Sequence, residues 1–228
     1  MNNKPWGAWL GGLFSFIIFL FSQISAFLFI FFSSIYFDYF KEHFGFALTI
    51  GALISSIISI FFTLIFINFS KFPTKEYLSL KKFSLKAFFI WFFIFAIFIG
   101  ISAYLLHYFN ISTIPDFLIN AYNTTEYPIL LFIVIILFYP IYEEILFRGF
   151  LFKSLEISKL GGIGAVIITS FFWSILHIQY NLFIIFVIFI AGVIFGMSRL
   201  KTNSLYLPIT LHILQNLISS IFFYFSLD

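Results

Sequence analysis

The 228-residue chain is 62% hydrophobic and 9% charged, with a mean hydropathy of +1.11 and a formal net charge of +3. A soluble domain carries roughly 25% charged residues, so this composition excludes one and points to a polytopic membrane protein. Cysteine is absent, which removes disulfides, thiolate metal ligands and a cysteine nucleophile together.

A membrane span needs about 20 apolar residues. In chain order the candidates are 8–36, 46–69, 86–108, 128–155, 161–179, 182–199 and 204–226. The first follows the segment MNNKPW directly. It is too long for a signal-peptide core and lacks a small-residue cleavage site, so it reads as a retained span. The segment 72–86, FPTKEYLSLKKFSLK, mixes lysines with Phe72, Tyr77, Leu80 and Phe83. It reads either as an amphipathic helix lying on anionic lipid or as a solvated basic loop. The expected fold is all-α, a polytopic transmembrane helical bundle of about seven spans, six to eight at the limits. The chain shows neither an internal repeat nor a soluble domain. It reads as one integral-membrane unit, with non-diagnostic spans over 1–124 and a catalytic core over 125–228.

Charge orients these spans. With the N-terminus inside, Lys4, Lys71, Lys75, Lys81, Lys82, Lys86, Arg148, Lys153, Lys159, Arg199 and Lys201 fall toward the inner side. Of the twelve Lys and Arg residues only Lys41 falls outside, beside Asp38, Glu42, Asp116 and Glu126. This is the asymmetry of the positive-inside rule, and it predicts a protein of the plasma (inner) membrane with a cytoplasmic N-terminus. The partners expected are the lipid bilayer and a peptide or protein substrate, with no nucleic acid; the sequence sets no oligomeric state.

A charge at mid-bilayer costs roughly 2.5–3.5 kcal/mol on insertion scales, so such residues are usually paired, inward-facing and functional. Glu143, Glu144, Arg148, His177, His212 and Asn216 each lie in or beside a span. Glu144 and Arg148 share a helical face in the favourable acid-first order. Glu143 is turned about 100° away. It is left without its own counter-ion, a situation that suits a general base. Folding the chain between Leu160 and Gly161 sets Glu144 level with His177, about 24 Å from the turn if both arms are helical. The same fold sets Arg148 level with Trp173. His212 and Asn216 share one face of the last span. Base, imidazoles and carboxamide could converge on one cavity, deprotonating water and stabilising an oxyanion.

Each piece also has a plainer explanation. Glu144 and Arg148 could be only a structural pair, His177 an interfacial histidine, and His212 with Asn216 interhelical glue. Their conjunction favours chemistry, since three accidents would have to coincide. His43 and His107 receive no role, and Trp173 reads as packing.

The residues resemble a known family at this point. EEILFR fits an EExxxR motif on Glu143, Glu144 and Arg148; WSILH is close to FxxxH; HILQN fits HxxxN. Their order is similar to that of the CPBP family of intramembrane proteases, which includes CAAX prenyl protease 2 and bacteriocin-processing or immunity (Abi) proteins. The resemblance covers roughly residues 125 to 220. It implies an endopeptidase in which Glu143 and His177 activate water and His212 and Asn216 stabilise the tetrahedral oxyanion. Glu144 and Arg148 would brace the site. The second motif opens with Trp173 rather than phenylalanine, which bears on pocket shape.

Family members are described both as metalloproteases and as glutamate-dependent proteases. No cofactor is assigned, and zinc held by Glu143, His177 and His212 is the alternative. The missing HExxH motif and the positive charge beside the site favour the metal-free route. Two other classes stand against the protease. One is a non-catalytic membrane scaffold or bacteriocin self-immunity protein of the same fold, which the complete motif set disfavours. The other is a proton-coupled transporter, disfavoured by the lack of repeats and broken midplane helices.

Overall fold

The computed structural model describes residues 4–112 and 114–226. Met1–Asn3, included in the orientation reading above, lie outside the described residues. Six helices lead in chain order to the central element: α1 (Ala8–Tyr36), α2 (Asp38–Glu42), α3 (Phe44–Phe69), α4 (Thr74–Tyr77), α5 (Leu85–Tyr108) and α6 (Asp116–Asn123). That element is a composite arm, Pro128–Glu156. It runs α7 (Pro128–Ile133), a π-helical turn π1 (Val134–Phe138), α8 (Tyr139–Glu144), a second turn π2 (Ile145–Leu151) and α9 (Phe152–Glu156). The chain closes with α10 (Gly161–Ile175), α11 (Leu182–Thr202) and α12 (Tyr206–Phe225). The described residues contain no strand, and the expected all-α bundle is what forms.

Among the described residues six elements are long and apolar enough to cross a membrane: α1, α3, α5, the composite arm, α11 and α12. Helix α10 has 15 residues, a rise of about 22 Å against a hydrocarbon core of about 30 Å. The span expected over 161–179 therefore stops short. His177 N bonds back to Ser174 O at 3.0 Å in a closing turn, and Asn181 then caps α11 by accepting from Ile184 N at 2.9 Å.

Contacts at the two ends count the crossings. At one end Trp6 Nε1 donates to Phe66 O at 2.7 Å, the Tyr77 and Ser154 hydroxyls pair at 2.9 Å, and Ser79 Oγ donates to Asn203 Oδ1 at 2.9 Å. At the other, Gly45 N donates to Thr124 Oγ1 at 2.9 Å, and the Tyr122 and Phe223 rings meet at 5.6 Å. Over the described residues the chain thus passes along the bundle seven times, with α10 as the short pass. The exposed lysines Lys71, Lys75, Lys81, Lys82, Lys159 and Lys201 gather at the first end.

The segment 72–86, read either as an interfacial helix or as a solvated basic loop, is neither throughout. Within it only the single turn α4 and the first two residues of α5 are helical. Tyr77 and Leu78 are buried in the bundle, Tyr77 stacked on Phe150 at 5.4 Å. Leu205 N and Arg199 Nη2 then fasten Ser79 through its carbonyl and hydroxyl, at 3.0 and 2.6 Å. Of the apolar residues that suggested membrane contact, Tyr77 enters the core and Phe72, Leu80 and Phe83 pack partly buried against it, while Lys75, Lys81 and Lys82 are exposed.

Helices α1 and α3 form a close antiparallel pair. From Gly45 to Thr63 the buried residues of α3 are all small, including Ala47, Thr49, Gly51, Ser55, Ser56 and Ser59, with Ile67 the one large buried residue near its end, as expected where backbones approach without large side chains. A Cβ on Gly51 would stand 2.9 Å from Ile30. Helix α5 is the most peripheral, packing chiefly on α11 through Phe95 and Phe195, whose rings lie 5.2 Å apart. The composite arm runs through the centre, with α1 and α3 on one side and α10, α11 and α12 on the other.

Candidate active site

The arm's irregularity begins with a proline. Pro140 offers no N–H, so a carbonyl one turn back loses its donor. Through π1, Tyr139 N reaches Val134 O, and the next carbonyl, Ile135 O, would face the missing Pro140 N–H. Asn216 on α12 supplies the replacement, its Nδ2 donating to Ile135 O at 2.8 Å. The third motif is thereby tied to the segment that presents the first.

Turn π2 begins immediately after Glu144 and contains Arg148; such single-turn π insertions often mark functional sites. Glu144 and Arg148 are both fully buried and paired, Arg148 Nη1 donating to Glu144 Oε1 at 3.1 Å. The same oxygen meets His212 Nδ1 at 3.1 Å. Arg148 Nη2 donates to Gly192 O at 3.1 Å, and its guanidinium lies 4.6 Å from the Trp173 ring centroid. A Cβ on Gly192 would stand 2.8 Å from Arg148 Nη2 and 3.0 Å from Trp173 Cε3. Only glycine leaves room for the guanidinium there.

Glu143 retains 9% exposure where Glu144 has none, so of the two carboxylates it alone has an open edge. Its Oε2 accepts from the Trp173 indole N–H at 2.6 Å and lies 3.9 Å from His212 Nε2. Its Oε1 accepts from the Tyr142 hydroxyl at 3.4 Å. Trp173 is itself flanked by both histidines, with centroid separations of 5.3 Å to His177 and 5.2 Å to His212, each near edge-on.

The proton positions on the imidazoles follow from their partners. A carbonyl oxygen can only accept, and His177 Nδ1 stands 2.9 Å from Trp173 O. His177 therefore carries its proton on Nδ1, and a neutral ring leaves Nε2 as a free base. Trp173 O is available because α10 has already ended. For His212, the carboxylate at Nδ1 imposes the same assignment and turns Nε2 toward Glu143.

The sequence-selected residues thus divide into two groups. Glu143, Glu144, Arg148 and His212 form one contiguous buried cluster. His177 joins it through Trp173, with neither ring nitrogen within 4.0 Å of a carboxylate among the described residues. Asn216 reaches the arm's backbone. Trp173, Tyr142 and Gly192 were not singled out for the site, yet all three contact it. Two sequence signals bear on them: a buried indole N–H needs an acceptor, and Gly192 with Gly196 forms the small-residue spacing of close helix pairs.

A three-ligand zinc site does not fit this arrangement. No three His, Cys, Asp or Glu side chains among the described residues gather closely enough to hold an ion.

Residues 125–218 match the family model described as type II CAAX prenyl endopeptidase Rce1-like. No curated protein and no solved structure matches the chain. The match encloses every residue of the cluster, and over that segment the resemblance to CPBP-type intramembrane proteases read from the three motifs is borne out.

Proposed function

We propose that the protein is an intramembrane endopeptidase of the CAAX-protease type, with Glu143 as general base. The observation that carries this reading is the convergence of Glu143, Glu144, Arg148 and His212, from two separate segments, on one buried cluster inside the family-matched region. Arg148 and His212 Nδ1 both engage Glu144, which leaves Glu143 as the carboxylate without a formal cationic partner of its own.

In the proposed reaction His177 Nε2 accepts a hydrogen bond from the attacking water and orients it. As the water oxygen bonds to the scissile carbonyl carbon, one water proton passes to Glu143 and the carbonyl oxygen gains the negative charge. His212 and Asn216 receive that charge. Asn216 has two N–H donors and commits one to Ile135 O, so the second serves. His212 donates from Nε2 once its ring has also taken a proton from solvent; Glu143, having accepted the water proton, is then neutral, and the Glu144 carboxylate at Nδ1 supplies the balancing negative charge. When the C–N bond breaks, the proton on Glu143 returns to the departing amine.

The substrate class implied by the family is a lipid-anchored C-terminal tail, and the lysine-rich end of the bundle is taken as cytoplasmic. The test uses proteoliposomes and a farnesylated fluorogenic peptide with a CAAX-type tail, alongside proteomics of membranes expressing each form. Wild type is expected to cleave, and Glu143→Gln to lose on the order of 10²–10⁴ of the rate, the range for removing a general base. Equal cleavage by both forms, or no membrane protein accumulating intact in the mutant, overturns the reading.

A scaffold or self-immunity protein of the same fold is the second reading. It is favoured by the internal partners that Glu144, Arg148, His212 and Asn216 already possess. A Glu143→Ala protein that keeps the full cellular phenotype would select it.

A further inference from the structure

The one departure from the family's motifs falls on Trp173, and it reaches the candidate base directly. We infer that Trp173 is a positioning residue for Glu143. Its indole N–H holds Oε2 and leaves Oε1 as the oxygen free to take a proton. The inference deepens the protease reading and, in its functional part, rests on it.

Three observations support the assignment. The Trp173 side chain is 1% exposed, and a buried indole N–H must find an acceptor. The acceptor is a carboxylate oxygen, at 2.6 Å, and bonds to ionised acceptors are stronger than those between neutral groups. The donor on Oε1, the Tyr142 hydroxyl, is distant at 3.4 Å, so the two oxygens are held unequally.

The ring that carries the N–H is fixed on every side. Arg148 stacks over it at 4.6 Å, and His177 and His212 abut it at 5.3 and 5.2 Å. Gly192 brings α11 so close that any Cβ there would press on the indole. A phenylalanine at 173 would keep a ring in this slot and remove the only N–H aimed at Glu143 from α10. The indole also links the first two motifs physically, since the residue that opens the second motif bonds to the first carboxylate of the first.

The experiment reads the bond and its consequence separately. The chain has four tryptophans, so indole-15N-labelled protein in nanodiscs gives few side-chain N–H signals. The signal lost in Trp173→Phe is expected to lie downfield, to exchange slowly with solvent, and to move upfield in Glu143→Gln. In the cleavage assay Trp173→Phe is expected to lower kcat roughly tenfold, the scale of a lost hydrogen bond to a charged group, with KM within about twofold.

An indole signal unmoved by Glu143→Gln sinks the pairing, whether or not the protein is a protease. A moved signal with unchanged kcat in Trp173→Phe sinks the positioning role. If Trp173→Phe does not fold, the signal is assigned by replacing Trp6, Trp9 and Trp91 with phenylalanine, and the Glu143→Gln comparison still decides. Wild type that cleaves nothing defeats the protease reading and with it the positioning role, while the spectrum still settles the bond.

Discussion

Helix α3 and the composite arm both bury polar atoms in the same bundle, by opposite means. On α3, Thr49 and Thr63 are fully buried, and each hydroxyl bonds to the carbonyl four residues earlier at 2.8 Å. These groups are satisfied within their own helix and need nothing from the rest of the fold. On the arm, the Glu144 and Arg148 charges and the carbonyl freed by Pro140 draw on α11 and α12 for partners. Local satisfaction lets helices pack tightly. Satisfaction across segments fixes a geometry, and only the second can assemble a reaction centre.

The largest expected effect breaks the arm's charge network. Arg148→Met leaves Glu144 buried with His212 as its remaining partner, and removing one member of a buried pair costs about 3–5 kcal/mol. Thermal melting in detergent should show a large loss for the single mutant. Adding Glu144→Gln should recover much of it, because the uncompensated charge is then gone. If the double mutant melts no higher than the single, the pairing is not what the arm depends on.

How much of this was readable beforehand depends on how local the determinant is. Six of the seven expected spans and the Glu144–Arg148 pair follow from hydropathy and from four-residue spacing and are present, while the fifth span forms only as the short helix α10. The hairpin count also placed Arg148 level with Trp173, and the two do stack. The match of Glu144 with His177 from the same count was not realised as a contact. One arm contains π turns, which advance differently from an α-helix, and the other ends before His177 is reached. The segment 72–86 misled because amphipathicity records that a face is apolar and not whether lipid or protein covers it. Trp173 was passed over because aromatic residues are common in this chain and its significance lies in one N–H. That donor gains meaning only when another segment supplies the acceptor.

The next effect sharpens the account of Asn216. Asn216→Ala leaves the part-buried Ile135 O without its donor, and the loss is expected toward the low end of the roughly 1–3 kcal/mol for an unsatisfied buried group. If Pro140 is the reason the carbonyl is free, Pro140→Ala supplies a backbone N–H. Asn216→Ala should then be less destabilising in that background. A double-mutant cycle on melting free energies isolates the coupling; additive losses would detach Asn216 from the proline. Cleavage assayed on the same variants separates this bracing from any role at the oxyanion, because Pro140→Ala can restore a backbone bond but cannot supply a carboxamide to the substrate.

The smallest effect tests the other side of the comparison. Thr63→Val removes a buried hydroxyl whose acceptor, Ser59 O, also belongs to the backbone ladder of α3. No donor or acceptor is orphaned, and the methyl fills the vacated space. A change of about 1 kcal/mol or less is expected, with cleavage untouched. A loss as large as that of Arg148→Met would mean that the α1–α3 interface depends on its hydroxyls through bonds between helices, and the contrast between locally and globally satisfied polar groups would no longer separate scaffold from site.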